Sequence, residues 1–179
     1  FGSSRLAERG PLPAPRRASP SSLFVRAARA RSDPAFASEM ASVLVCGGGN
    51  AAQVVSCLFS ARYKVTAISL YADEAERWSE CVKQAGGMQC SFAGTTKEVK
   101  ATPDLITKDP SAVKDCDMVL FTVPSSFHDQ YFAALEPHVK PGTIFAVMPA
   151  RSGCDFLFKK VMGDKAETLG LAAFETLPW

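Results

Sequence analysis

Gly47, Gly49 and Ala52 stand at the spacing Gly-x-Gly-x-x-Ala, directly after the apolar run Val43 to Cys46. Each position has a job in holding a diphosphate. The first turns the backbone sharply, and the second lacks a side chain so that the anion can approach the main chain. The third is small so that a helix packs closely on its strand. The amides at the start of that helix then face the anion, with the helix dipole behind them. A tight strand-to-helix turn without a ligand would use the same glycines, so the context has to decide. Here a strand precedes the turn and a helix follows, with Ala51, Val54, Val55, Leu58 and Phe59 predicted on one face. A second strand, Val65 to Leu70, follows at the distance of a βαβ unit.

Three other places carry chemistry. In such a unit an acid near the end of the second strand binds the adenosine ribose, about 20 residues past the glycines. The first acid after Leu70 is Asp73, followed by Glu74. Asp73 has two readings: a ribose ligand, or the N-cap of a helix from Glu74 to Ala85. No arginine follows the strand to demand a 2′-phosphate, so NAD is expected ahead of NADP. The run Met118 to Val123 reads as a central parallel strand buried on both faces. Its end should lie beside the glycine turn, which makes Thr122, Val123, Pro124 and Ser125 candidates for the nicotinamide side. Ser126, three residues before Asp129, reads as a helix cap. His128 has acid–base capability, but its place in a first helical turn points to packing or surface rather than catalysis.

The elements that must position these residues follow the chain. Met88 to Phe92 and Glu98 to Ala101 pair as a hairpin. Asp104 to Thr107 is a short strand, and Asp109-Pro110 starts a brief helix with Asp109 as its cap. A helix covers Phe127 to Leu135, and Thr143 to Met148 is another buried strand. Gly153 to Met162 is helical, and Leu169 to Phe174 is a last strand. The predicted fold is α/β: a Rossmann-like, doubly wound, mostly parallel sheet with a small β-hairpin insertion.

Composition narrows the classes. The chain has 179 residues, 47% of them hydrophobic, and a net charge of +2. That charge gives no reason to expect nucleic acid or a membrane as partner. The six cysteines form no Cys-x-x-Cys pair and only two histidines are present, so no metal site is expected. The cysteines read as buried, reduced thiols of an intracellular protein. Residues 1–39 are rich in arginine, serine, proline and alanine, with few acids. They are expected to be disordered, either as an organelle transit peptide or as a leader upstream of a start at Met40. The expected location is the cytoplasm, or an organelle if the segment is a transit peptide.

With these segments in view, residues 42–179 resemble the nucleotide-binding half of the octopine/opine dehydrogenase family. The matching stretches are Val-Cys-Gly-Gly-Gly-Asn50, Ala72-Asp-Glu-Ala-Glu-Arg-Trp78, Ile106-Thr-Lys-Asp-Pro110, Thr122-Val-Pro124 with His128 and Tyr131-Phe132, Gly163-Asp-Lys165, and Phe174-Glu-Thr-Leu-Pro-Trp179. The resemblance implies reductive condensation. An amino acid and a 2-keto acid, usually pyruvate, form an imine that NADH or NADPH reduces to a secondary amine dicarboxylate. It places Gly47, Gly48, Gly49 and Asn50 at the diphosphate and Thr122 to Ser125 near the nicotinamide ribose. Ala51 stands where some relatives carry glycine, and alanine still permits a helix start. The resemblance also implies that the acid–base histidine and its acidic partner belong to a second, helical domain expected past Trp179. No catalytic residue is therefore assigned, and residues 40–179 alone are expected to bind dinucleotide weakly without turnover. Two other readings share the glycine turn. One is a ketopantoate or glycerol-3-phosphate reductase, and the other is a non-catalytic dinucleotide-binding module.

Overall fold

The computed structural model describes residues 41–177. The expected leader over 1–39, the start at Met40 and the closing Pro178-Trp179 lie outside the described residues.

Strand β1 (Ser42–Cys46) leads through the glycine turn into helix α1 (Asn50–Ser60), and β2 (Lys64–Ile68) follows. Helix α2 (Glu74–Ala85) comes next, then β3 (Met88–Ser91), β4 (Glu98–Ala101) and β5 (Leu105–Thr107). The second half contains β6 (Met118–Phe121), α3 (His128–Leu135), β7 (Ile144–Val147), α4 (Cys154–Met162) and β8 (Gly170–Ala173). Six strands form one sheet in the order β5-β2-β1-β6-β7-β8. All its pairings are parallel. The strand order reverses at β1, which is the doubly wound arrangement with its switch point between β1 and β6. Strands β3 and β4 form the expected hairpin, antiparallel with Met88 opposite Ala101 and Ser91 opposite Glu98.

The continuous apolar strands follow from burial on both sides. Along β1, Val43 and Val45 point into a cluster with Ala52 and Val55 of α1 and Trp78 and Val82 of α2. Leu44 and Cys46 point the other way, into a cluster with Phe132 and Leu135 of α3 and Phe158 and Met162 of α4. Helix α2 stops at Gly86, whose φ of 72° is the left-handed cap that glycine adopts without steric cost. Asp117 fastens β6 to β1. Its carboxylate accepts from the Ser42 N–H at 3.0 Å and the Ser42 hydroxyl at 2.9 Å, and it pairs with Lys140 Nζ at 2.8 Å. Lys140 and Ser42 hold its carboxyl down at about 2.

The structure departs from the sequence expectations at element ends. Strand β2 stops at Ile68 rather than Leu70. The Ser69 N–H still bonds the Thr107 carbonyl at 3.2 Å, but the Leu70 N–H turns to the Tyr131 hydroxyl at 3.0 Å. Strand β6 stops at Phe121, although the Thr122 N–H still bonds the Cys46 carbonyl at 3.1 Å. The capping box expected of Ser126 and Asp129 is not formed. A 3-10 turn over Ser125–Phe127 intervenes, with the Phe127 N–H on the Pro124 carbonyl at 2.9 Å, and α3 begins at His128. The helix at Asp109 is a 3-10 turn over Pro110–Asp115, and Asp109 caps it by accepting from the Ser111 N–H at 2.9 Å. The most buried residues of α1 are Ala52, Val55, Ser56 and Cys57. Ala51, Val54, Leu58 and Phe59 are only half-buried. The small side chains bring the helix closest to its neighbours, which a count of large apolar residues does not register.

Candidate dinucleotide cleft

The carboxyl ends of β1, β2 and β6 open into a cleft of ≈ 480 Å³. Gly47, Gly48 and Gly49 line it together with Thr122, Val123 and Pro124. Gly47 has φ +123°, a conformation that L side chains rarely adopt, and its N–H bonds the Ile68 carbonyl at 2.8 Å. A Cβ there would lie 3.1 Å from Val123 Cγ1 and 3.2 Å from Thr122 Oγ1. The Thr122 hydroxyl donates to the Cys46 carbonyl at 2.8 Å, so β1 and β6 are tied at the mouth of the cleft. A Cβ on Gly49 would meet nothing within 4 Å. Main chain at that position is open to an approaching ligand, which is the property the second glycine of the spacing requires.

Asn50 and Ala51 form the first turn of α1. Neither side chain lines the cleft, so what they can offer a ligand is the backbone N–H groups that a helix start leaves unpaired. The first turn is held by the Gln53 N–H on the Gly49 carbonyl at 3.0 Å and by Gln53 Nε2 on the Gly48 carbonyl at 3.0 Å. Ser125 lies outside this cleft. It lines an adjoining one of ≈ 540 Å³ with Ser126, Pro149 and Arg151, and Thr122 and Pro124 border both.

The acid at the cleft is Glu74. Its carboxylate accepts from the Ser69 hydroxyl and occupies the space where a Cβ on Gly48 would be. Asp73 stands at the N-cap position of α2 without a side-chain capping bond. Its carboxylate instead faces Arg77 Nε at 3.2 Å, on the exposed surface. The backbone between β2 and α2 explains the difference. Ala72 adopts φ 38°, and Lys108 Nζ donates to its carbonyl. This kink precedes α2, and adjacent residues on a helix point about 100° apart. One acid therefore turns toward the glycines and the next away from them.

Tyr131 is the residue that sequence reading passed over as a functional candidate. It is buried, lines the cleft, and holds the Leu70 amide across the sheet end. Burial raises its phenol above the usual value. The contact spans 61 residues of sequence, and no local pattern announces it. His128 is 1% exposed. Its ring packs edge-on against Phe121 at 5.7 Å, and Nε2 lies 3.2 Å from the Val123 carbonyl. Burial lowers its basicity, so the neutral ring donates to that carbonyl. The geometry is that of a packing residue beneath Val123. No group of three or more metal-ligating side chains occurs among the described residues. No described helix is long and apolar enough to cross a membrane.

No family model matches the chain. Curated relatives do. The chain is 40% identical over 145 residues to the octopine dehydrogenase of Pecten maximus, covering 76% of this chain and 36% of that protein. It is 38% identical over 146 residues to the tauropine dehydrogenase of Arabella iricolor, with 78% and 36% covered. The chain thus spans about a third of the length of the curated relatives it matches. Among solved structures, octopine dehydrogenase with NADH and L-arginine superposes with a TM-score of 0.72 at 39% identity, over 78% of this chain and 36% of that one. A ketopantoate reductase from Ralstonia eutropha gives a TM-score of 0.56 at 19% identity, which speaks for the fold alone.

Proposed function

We propose that this chain, a relative of the octopine and opine dehydrogenases, is the dinucleotide-binding part of an enzyme that joins an amino acid to a 2-keto acid such as pyruvate. The observation that carries the proposal is the superposition at 39% identity on an octopine dehydrogenase solved with NADH. The domain extends over residues 40–179, and a second domain supplies the acid–base residues.

The residues present fit a dinucleotide. The open main chain at Gly49 and the first-turn amides of Asn50 and Ala51 take the diphosphate. Gly47 sets the turn and Gly48 leaves room for Glu74. Glu74, rather than Asp73, accepts from the adenosine ribose hydroxyls. A carboxylate there repels a 2′-phosphate, so NADH binds more tightly than NADPH. Thr122, Val123, Pro124 and Ser125 flank the nicotinamide ribose, and Phe127 and Tyr131 wall that end of the cleft. Bound NADH supplies the hydride, and the protein's part is to hold the acceptor carbon in line with it and keep water out. The compartment is the cytoplasm, or an organelle if residues 1–39 act as a transit peptide.

Thermal unfolding with added dinucleotide tests this reading. A ligand present at 100 times its dissociation constant stabilises the folded state by about 2.7 kcal/mol. NADH is expected to raise Tm more than NADPH at equal concentration, and Glu74→Ser is expected to narrow the gap. Absence of any shift with either dinucleotide at millimolar concentration overturns the proposal. In the native enzyme, NADH oxidation should require the amine and the keto acid together.

A further inference from the structure

Helix α1 carries a second feature, eight residues past the glycine turn. Cys57 is fully buried on the side that meets the β3–β4 hairpin. Its thiol donates to the Val99 carbonyl at 3.6 Å. Val99 on β4 is paired in register with Cys90 on β3. Met88 and Cys90 on β3 and Val99 and Ala101 on β4 are half-buried, whereas Gln89, Ser91, Glu98 and Lys100 are exposed. Directly opposed residues of an antiparallel pair point to the same face of the hairpin. Cys90 therefore projects from the face that Cys57 touches, close enough for the Cys57 thiol to bear on its ionisation. Burial and the neighbouring Cys57 thiol push Cys90 up to about 11, so it rests in the thiol form. The other cysteines are placed differently. Cys46, Cys116 and Cys154 belong to the core cluster under α3 and α4, and Cys81 is exposed on α2.

We infer that Cys57 and Cys90 form a reversible disulfide that clamps the β3–β4 hairpin to helix α1. The oxidant is a low-molecular-weight disulfide such as glutathione disulfide. Half-buried Cys90 reacts first: it loses its proton to solvent, the small thiolate fraction so formed attacks one sulfur of the oxidant, the S–S bond breaks, and one glutathione leaves as a thiol. The Cys57 thiolate then attacks the Cys90 sulfur of the mixed disulfide and expels the second glutathione. Two electrons pass from the cysteine pair to the oxidant, and the two cysteine protons end on the two released thiols. The new bond closes a loop from Leu58 to Gln89 and restricts the unfolded chain. Cys57 lies two helical turns from Asn50, about 10 Å along the axis, so the clamp leaves the glycine turn open.

The test is to incubate the reduced protein with glutathione disulfide, alkylate the remaining thiols, and map the peptides by mass spectrometry. The expected product is a Cys57–Cys90 linked peptide without a lasting glutathione adduct on Cys90, accompanied by a higher Tm than the reduced protein. In Cys57→Ala, Cys90 should retain glutathione as a stable adduct. In Cys90→Ser, a change at a half-buried position, the link and the oxidant-dependent rise in Tm should both vanish. A stable adduct on wild-type Cys90 overturns the inference. So does an unmodified Cys90 under conditions that label Cys81. None of these readouts depends on dinucleotide binding.

Discussion

The two faces of the sheet are filled by different kinds of side chain. Under α1 and α2 the buried residues are mainly small and β-branched: Val43, Val45, Ala52, Val55, Val65 and Ala67, with Trp78 as the large exception. Under α3 and α4 the aromatic rings meet. Phe121 lies 4.6 Å from Phe132 and 6.1 Å from Phe145, and Phe158 meets Phe132 and Phe145 edge to face. The difference matches what each face supports. Small residues let α1 approach β1 closely, so that its N-terminus arrives at the cleft beside Gly49. Large rings build a stiff floor beneath the Thr122 to Pro124 side of the cleft, because interlocked aromatics bury much area in few rotamers. One face is shaped for approach and the other for support.

Three tests bear on that comparison. The largest effect belongs to Phe121→Ala. Phe121 is fully buried at the centre of the aromatic cluster, so the expected loss is about 3–5 kcal/mol. Val45→Ala on the small-residue face is expected to cost about 2 kcal/mol. Equal losses in denaturant titrations of the two variants would break the contrast. The second change is in pH. His128 is held neutral by burial, with its basicity below the ordinary value. As pH falls below about 6.5 the unfolded chain takes up a proton that the folded state resists, so stability falls with pH on the aromatic face. His128→Gln is expected to lose less Tm than wild type between pH 7.5 and pH 5.5, and equal losses would rule the histidine out as the cause. The smallest effect is on the opposite face. The Ser56 hydroxyl is buried without a partner among the described residues. Ser56→Ala is expected to raise stability by up to about 1 kcal/mol, and a measurable loss would show the hydroxyl to be satisfied.

Much of this architecture is legible in the residues. The run Val43 to Cys46, the glycines, and the second strand near Val65 specify a βαβ unit through local pattern alone. The hairpin at Met88 and Glu98 follows from β-branched and polar residues around Ala93-Gly94-Thr95. Element ends are less legible where distant groups compete for the backbone. Tyr131 takes the Leu70 amide and so shortens β2, although Leu70 is as apolar as its neighbours. Ser126 carries the chemistry of a cap but is bypassed, because a 3-10 turn at Ser125 moves the helix start past it.

The sequence by itself determined the order of strands and helices, the placement of a glycine turn between the first two, and the candidates Gly47 to Ala51 and Thr122 to Ser125. These depend on periodicity and on backbone freedom at single residues, which are properties of short segments. Only the tertiary structure decided which acid reaches the glycines, that Tyr131 anchors the cleft, that His128 is sealed beneath Val123, and that Cys57 packs on Val99, the cross-strand partner of Cys90. Each of those depends on the direction in which a side chain leaves its element. That direction is set by how helices dock on the sheet, through contacts between residues far apart in the chain.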